Sequence, residues 1–253
     1  MRKTTIQSPY ALIGDNLELK KKVSLELDKD GIITDLSHEE PEDNIQPLQM
    51  NQSTLMIPGL INSHVHIGDS FAKEKGFNKD LSEIVAPPFG LKHKLLRQTP
   101  EEFILTGITK AAKEMLSNGI TCFVDFREGG VAGVDLLKKG LAQISINCLI
   151  YGRFRDESEI EQIFEMADGV GLPSYKQITR NNTKLVIASK QKTNKMIACH
   201  CAENIRDINL IESVFNDNLV DIFIHGTKFN RKDLTILKEE AKPLVLCPRC
   251  NAY

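Results

Sequence analysis

An α/β protein with a parallel sheet at its centre is predicted by two features of the sequence. From Leu55 onward, short apolar runs alternate with longer amphipathic stretches at a spacing of roughly 20 to 30 residues, the pattern of successive βα units. Before Leu55, LELKKKVSLEL and GIITDL are short alternating segments separated by polar turns such as DKDG, and these predict antiparallel hairpins. The 253 residues leave room for a large domain with a small appendage. Both a doubly wound sheet and a (β/α)8 barrel, which takes about 250 residues, suit that many units. No G-x-G-x-x-G follows the first strand, which weakens the dinucleotide-binding version of the doubly wound sheet.

In order along the chain, a polar loop rich in Glu, Asp, Asn, Gln and Pro runs from His38 to Ser53. Seven apolar runs then read as strands: LMIPGLINSHVH (55–66), GITCFVDF (119–126), INCLIYGRF (146–154), ADGVGLP (167–173), KMIACHCAEN (195–204), VDIFIH (220–225) and PLVLCPRC (243–250). Between them, Thr99-Pro-Glu-Glu predicts a helix start with Thr99 as the cap and proline in the first turn, and Gly119 ends that run. Similar helical patterns occupy VDLLKKGLAQ, ESEIEQIFEM, NIRDINLIESVF and RKDLTILKEE. The long segment from Ile67 to Pro100 reads as a lid over the sheet, and its side chains would choose a small-molecule substrate that the sequence does not name.

Composition narrows the class. Hydrophobic residues make up 41%, charged residues 26%, and the formal charge is −2, an ordinary globular balance without a nucleic-acid footprint. The cluster Lys20-Lys21-Lys22 reads as a solvated strand or turn. Two basic residues open the chain with no apolar core behind them, and there is no 18-residue apolar window, so neither a secretory signal nor a membrane span is expected and a cytoplasmic protein is. Asn181-Asn182-Thr183 therefore has no meaning as a glycosylation pattern. Cys122, Cys148, Cys199, Cys201, Cys247 and Cys250 lie in or beside apolar runs, which favours reduced thiols over a disulfide framework.

The chemistry gathers at strand ends. In a strand, alternate side chains share a face, so His64 and His66 project together, and at the carboxyl end of a parallel strand they could grip one metal ion. Hydrogen-bonded core histidines are the competing reading. His200 near the end of the fifth run, Glu203 three residues on, and His225-Gly226 at the end of the sixth repeat the arrangement. Four of the six histidines thus fall at the carboxyl ends of three predicted strands, which points to a zinc-type site. Cys199 and Cys201 flank His200 on the other face, toward the outer helices, as packing residues. Cys247-Pro-Arg-Cys250 closes a strand and has no second C-x-x-C, so packing is preferred for it over a redox or zinc-knuckle role. His38 and His93 lie in loop-like sequence and are expected at the surface.

These residues resemble the amidohydrolase superfamily. P-G-L-I-N-S-H-V-H is similar to its first barrel strand, His200-Cys-Ala-Glu203 to the H-x-x-E of its deaminase and chlorohydrolase branch, and Ile224-His225-Gly226 to its sixth-strand histidine. PPFGLKH (87–93) and CPRCNAY (247–253) also look like segments of uncharacterised, chlorohydrolase-like members. The resemblance implies a (β/α)8 barrel at 55–253 and, at 1–54, part of a small β-sandwich domain built from both termini. It implies that His64, His66 and His200 hold one divalent metal, zinc or alternatively iron, with an aspartate after the eighth strand as fourth ligand. Glu203 would carry a proton from the attacking water to the leaving nitrogen, and His225 would orient that water or polarise the carbon under attack. Branches with two metals bridge them with a fourth-strand lysine; ADGVGLP has none, which favours the mononuclear, deaminase-like branch.

One departure stands out. The chain stops at Tyr253, after the seventh strand, so the eighth strand, its aspartate and the terminal half of the small domain are not in it. Three histidines with an open position can still make a zinc site. Three readings of the ending stay open: a fragment of a longer enzyme, a barrel completed by a second copy or another chain, and a degenerate relative. The expected function is metal-dependent hydrolysis of a non-peptide carbon–nitrogen bond, with deamination of a ring substrate preferred. Its rivals are a non-catalytic relative kept for assembly or regulation, and a thiol or metal-storage protein using Cys247 and Cys250.

Overall fold

The computed structural model describes residues 4–39, 54–86 and 89–251. Most of the polar loop 38–53, Pro87-Pro88 and the last two residues of CPRCNAY lie outside the described residues. The chain divides into two compact units, Met1–Gly59 and Leu60–Tyr253.

In the first unit, β1 (Thr4–Ile13), β2 (Glu18–Leu27), β3 (Ile33–Glu39) and the short β4 (Leu55–Met56) form one sheet in the order β3-β2-β1-β4. The predicted hairpins are there: β1 pairs β2 antiparallel, and β2 pairs β3 antiparallel across the DKDG turn. That turn closes because Asp28 Oδ1 accepts from the backbone N–H groups of Asp30 and Ile32, each at 2.9 Å. The run LMIPGLINSHVH is not one strand: Leu55-Met56 adds parallel to β1 in this sheet, and only the part after Gly59 enters the other. Pro58 marks the change, since it cannot donate to a ladder. His38 stands on β3 and is exposed, so its surface reading holds although it is not in a loop.

The second unit opens with β5 (Leu60–Val65), followed by α1 (Leu81–Val85), α2 (Leu91–Gln98) and α3 (Glu101–Ser117). Then come β6 (Ile120–Arg127), α4 (Gly130–Leu141), β7 (Asn147–Gly152), α5 (Ile160–Met166), β8 (Gly169–Leu172), α6 (Thr183–Thr193), β9 (Met196–Cys201), α7 (Ile208–Asp217), β10 (Ile222–His225), α8 (Arg231–Glu239) and β11 (Leu244–Val245). The sheet runs β11-β10-β9-β8-β7-β6-β5, and all its pairs are parallel. β5 and β10 stand five places apart in that order, yet the rings of His64 and His225 are 5.5 Å apart. The sheet therefore curls into a nearly closed barrel, which excludes the doubly wound alternative.

Alternation sorts the side chains into two cores. Phe123, Val170, Leu172, Ile197, Cys199, Cys201 and Phe223 face the helices in the larger one, while Phe126, Tyr151, Ala198 and Ile224 fill the barrel interior. Cys199 and Cys201 are thus outward packing residues, as expected. A stripe of Ile104, Ile108, Ala111, Ala112 and Met115 along α3 lies on the outer face, and fully burying a side chain the size of Ile108 stabilises by about 1.5–3 kcal/mol. Helix α3 starts at Glu101 with Pro100 at the cap, one residue later than Thr99-Pro-Glu-Glu predicts, and no side chain caps it. Its end is as expected: Gly119 adopts a left-handed φ of 78°. The Ile67–Pro100 segment is not plain loop, since it carries a 3-10 turn at Ile67–Ala72 and helices α1 and α2, and His93 sits half-buried on α2.

On β8 the inward positions are Gly169 and Gly171. A Cβ on Gly171 would stand 2.8 Å from the Phe126 ring and 3.0 Å from the Tyr151 carbonyl oxygen, so only glycine lets Phe126 reach across the barrel. Gly171→Ala is expected to lower unfolding free energy by about 1–3 kcal/mol through overpacking, read as a shift in the urea midpoint at unchanged slope. An unchanged midpoint would show that Phe126 is free to move aside.

Candidate functional site

At the carboxyl end of the barrel, β5 brings His64 and His66, β9 brings His200 and β10 brings His225. The rings of His64 and His66 lie 4.9 Å apart, those of His64 and His200 4.8 Å, and those of His200 and His225 5.5 Å. Phe126 forms an apolar floor, its ring 4.4 Å from His64 and 5.3 Å from His200. A cavity of about 870 Å³ opens above it, lined by the four histidines and Glu203.

Backbone carbonyls set the state of two rings. His200 Nδ1 lies 2.8 Å from the Leu172 carbonyl oxygen, which only accepts, so Nδ1 carries the proton and donates. His66 Nδ1 likewise faces two acceptors at 2.8 Å, the carbonyl oxygen of Phe126 and Oε1 of Glu128. Both rings therefore turn an unprotonated Nε2 inward, and the two Nε2 atoms meet at 3.3 Å. Two lone pairs at that distance repel unless a cation or proton lies between them. His64 adds a buried Nδ1 that has no hydrogen-bond partner among the described residues. Ligand nitrogens of His64, His66 and His200 all lie within 4.8 Å of one another, and this donor set fits a divalent ion such as zinc.

The electrostatics agree. Burial, reinforced by the neighbouring His66, lowers His64 to about 2. Burial also holds His200 well below the usual histidine range, again with help from His66. Both are neutral ligands at any ordinary pH.

The other two expected residues meet beside the first three. Glu203 Oε2 is 3.6 Å from His225 Nε2. Alternation alone would turn His225 outward, because Ile224 before it points into the barrel. Instead His225 takes a left-handed φ of 73°, which swings its ring inside; Ala202, before Glu203, also has a positive φ, 48°. Asn251 spans the pair. Its Nδ2 donates to Glu203 Oε1 at 3.4 Å, and its Oδ1 accepts from His225 Nδ1 at 3.1 Å. A carboxylate only accepts, so Asn251 must turn its amide nitrogen to Glu203 and its oxygen to His225. That leaves His225 Nε2 as an acceptor.

Sequence reasoning missed several partners. Glu128, at the end of the second barrel strand, is 2% exposed and takes His66 Nδ1 at 2.8 Å and Lys92 Nζ at 2.6 Å. Burial alone would raise its pKa, but His66 and Lys92 hold the carboxyl well below its usual range. Lys92, on α2, also pairs with Asp69 at 3.0 Å. Gly133 lets α4 close onto this strand end, since a Cβ there would overlap the Glu128 carbonyl oxygen. Asp125, fully buried and pushed up to about 6 by burial, accepts from the Ile67 backbone N–H at 2.6 Å and pins the chain just after His66. Of the C-x-x-C cysteines, Cys250 is exposed, while Cys247 packs against the interior core and lies beside His64 and His225. The strand-end position that selects the histidines also selects Glu128; Lys92, Gly133 and Asn251 carry no such signal.

A parallel barrel with imidazoles converging at the carboxyl ends of its strands has the architecture of a barrel hydrolase. The chain belongs to the amidohydrolase family, whose model matches residues 55–253. A "putative aminohydrolase" of Methanothermobacter thermautotrophicus is 31% identical over 244 residues, spanning 88% of this chain and 62% of that protein. An uncharacterized protein of Methanocaldococcus jannaschii is 32% identical over 258 residues, 95% of this chain and 66% of its own length. The chain thus spans less than two thirds of these curated relatives. Among solved structures, a 5-methylcytosine deaminase from Klebsiella pneumoniae shares the fold at TM-score 0.68 and 15% identity, over 98% of this chain and 67% of that one. A Xaa-Pro dipeptidase does so at TM-score 0.62 and 16% identity, over 96% and 66%. At such identities the likeness shows the fold alone. No helix among the described residues is long and apolar enough to cross a membrane.

Because His64 and His200 are neutral in the fold and take up protons near pH 6.5 when unfolded, their contribution is present above that pH and lost as pH falls below it. Metal-free protein should lose roughly 1 kcal/mol per group between pH 7.5 and 5.5. Urea midpoints in chelator at the two pH values test this; the double substitution His64→Asn, His200→Asn should remove about 2 kcal/mol of the difference. An unaltered difference would mean that neither ring is buried neutral.

Proposed function

We propose that this chain carries the metal-binding centre of a hydrolase that acts on a non-peptide carbon–nitrogen bond, with deamination of a ring substrate by water as the preferred reaction. The observation that carries this reading is the convergence of three neutral imidazoles with the Glu203–His225 pair beside them. The bond class draws support from the name of the Methanothermobacter relative and from the deaminase among the fold neighbours. The dipeptidase among those neighbours means that fold likeness does not choose the bond.

His64, His66 and His200 would hold the ion through nitrogens that the surrounding hydrogen bonds leave unprotonated. A divalent ion supplies Lewis acidity there, making water acidic near neutral pH, with a pKa of about 7. The remaining steps belong to the side chains. Glu203, half-buried and held by Asn251, takes a proton from the attacking water and delivers it to the leaving nitrogen, which departs poorly unless protonated. His225 presents Nε2 as an acceptor and orients that water by taking a hydrogen bond from it; with no proton on Nε2 it is not set up to polarise the substrate carbon. Phe126 and the Cys247 side of the interior keep bulk water from below.

Metal analysis and ammonia release test this. The purified chain should hold one divalent ion, lost in His200→Ala. Against a panel of amino-substituted ring heterocycles, Glu203→Gln should retain the ion and lower kcat by about 10²–10⁴-fold. Ammonia released from dipeptides or amides instead would transfer the reading to another bond. No bound metal, or turnover indifferent to Glu203→Gln, would favour a non-catalytic relative with an assembly or regulatory role.

A further inference from the structure

Cys247 stands where packing alone does not explain its surroundings. Its Sγ and one ring nitrogen each of His64 and His225 lie within 4.8 Å of one another, a second potential ligand triad that overlaps the three-histidine set only at His64. A tetrahedral ion with bonds of about 2.0–2.3 Å needs donors roughly 3.3–3.7 Å apart, so side-chain rotations of about 1 Å would close the triad. Beside it, Glu203 Oε2 and His225 Nε2 face each other at 3.6 Å as two acceptors, near the spacing of two ligands on one ion. Asn251 makes this so, by holding the proton on the far nitrogen of His225. His64 has two ring nitrogens, of which Nδ1 is buried without a partner, so one imidazole can serve either triad.

We propose that His64, His225 and Cys247 form a second metal position, one bearing a thiol and therefore selective for thiophilic divalent ions such as cadmium, cobalt or zinc. Its two nitrogens and one sulfur are a softer set than three imidazoles, which is the physical basis of the selectivity. Burial pushes the Cys247 thiol up to about 11, so the metal-free side chain is protonated. Coordination displaces that proton: the S–H bond breaks, the sulfur–metal bond forms, and one proton leaves to solvent for each ion bound. The position does not depend on the hydrolase reading. It differs from a site built on Cys247 and Cys250 together, because Cys250 is exposed and belongs to neither triad.

The test is titration of the metal-free full chain with cobalt(II), followed by near-ultraviolet absorption, with native mass spectrometry to count ions. A sulfur-to-cobalt charge-transfer band is expected. It should vanish in Cys247→Ser and His225→Asn, and persist in Cys250→Ser and in His66→Ala, which removes a ligand of the first set only. Cadmium affinity should fall at least about tenfold in Cys247→Ser, with an unchanged circular dichroism spectrum showing that the variant folds. Absence of the band in the unsubstituted protein, its survival in Cys247→Ser, or its loss in Cys250→Ser would overturn the proposal. None of those results would touch the three-histidine centre, whose loss shows instead as cobalt binding abolished by His66→Ala and His200→Ala.

Discussion

Two backbone carbonyl oxygens, those of Phe126 and Leu172, decide how the centre of this molecule is arranged. Each sits at the end of a barrel strand and accepts from the Nδ1 of a histidine on a different strand. An imidazole has two nearly equivalent tautomers, and such a hydrogen bond selects between them. With both Nδ1 protons held outward, His66 and His200 must show their lone pairs to each other. No side chain needs to be invented for that selection. The parallel ladder that aligns β6 with β7 and β8 with β9 already places the carbonyls, so the register of the sheet is also the wiring of the site.

Buried charge makes this arrangement exacting. Glu128 is surrounded by cations, with Lys92 at 2.6 Å, Arg153 at 3.8 Å and the His66 N–H at 2.8 Å. Breaking one partner from such a buried group costs about 3–5 kcal/mol, because the remaining charge is stranded. Lys92 comes from the segment over the barrel mouth, so the order of that segment and the orientation of a ligand histidine share one carboxylate. A substrate that draws Lys92 away would be felt at His66, and a change at His66 would be felt at α2.

Much of this was legible from the chain, for reasons that differ residue by residue. His64, His66 and His200 lie on regular strand geometry, so alternation placed them together, and the seven apolar runs each produced a barrel strand. His225 belonged to the group for a reason alternation does not supply: a left-handed backbone turn re-aims it, and no pattern of apolar residues announces such a turn. The strand run at 55–66 looked continuous because Leu55-Met56 and Leu60–Val65 are equally apolar, although they pair in different sheets. Helix α6 had no clear signature, since it buries only Val186 and Ser189 on a weakly amphipathic surface. Asn251 and Lys92 are common polar residues in irregular stretches, and only three-dimensional contact gives them a role.

The strand that carries His64 and His66 has a single neighbour. β5 pairs with β6 alone, and that pairing shifts register between Asn62 and Val65, directly beneath the two rings. His200 is on β9, in the middle of the sheet, 134 residues along the chain from His66. Any ion that these three rings grasp is therefore a rivet across the barrel, tying its least supported strand to one of its best supported. Closing so long a loop through a single atom removes much of the freedom of the unfolded chain. In such a protein the chemistry and the mechanical integrity of the barrel would be loaded and unloaded together.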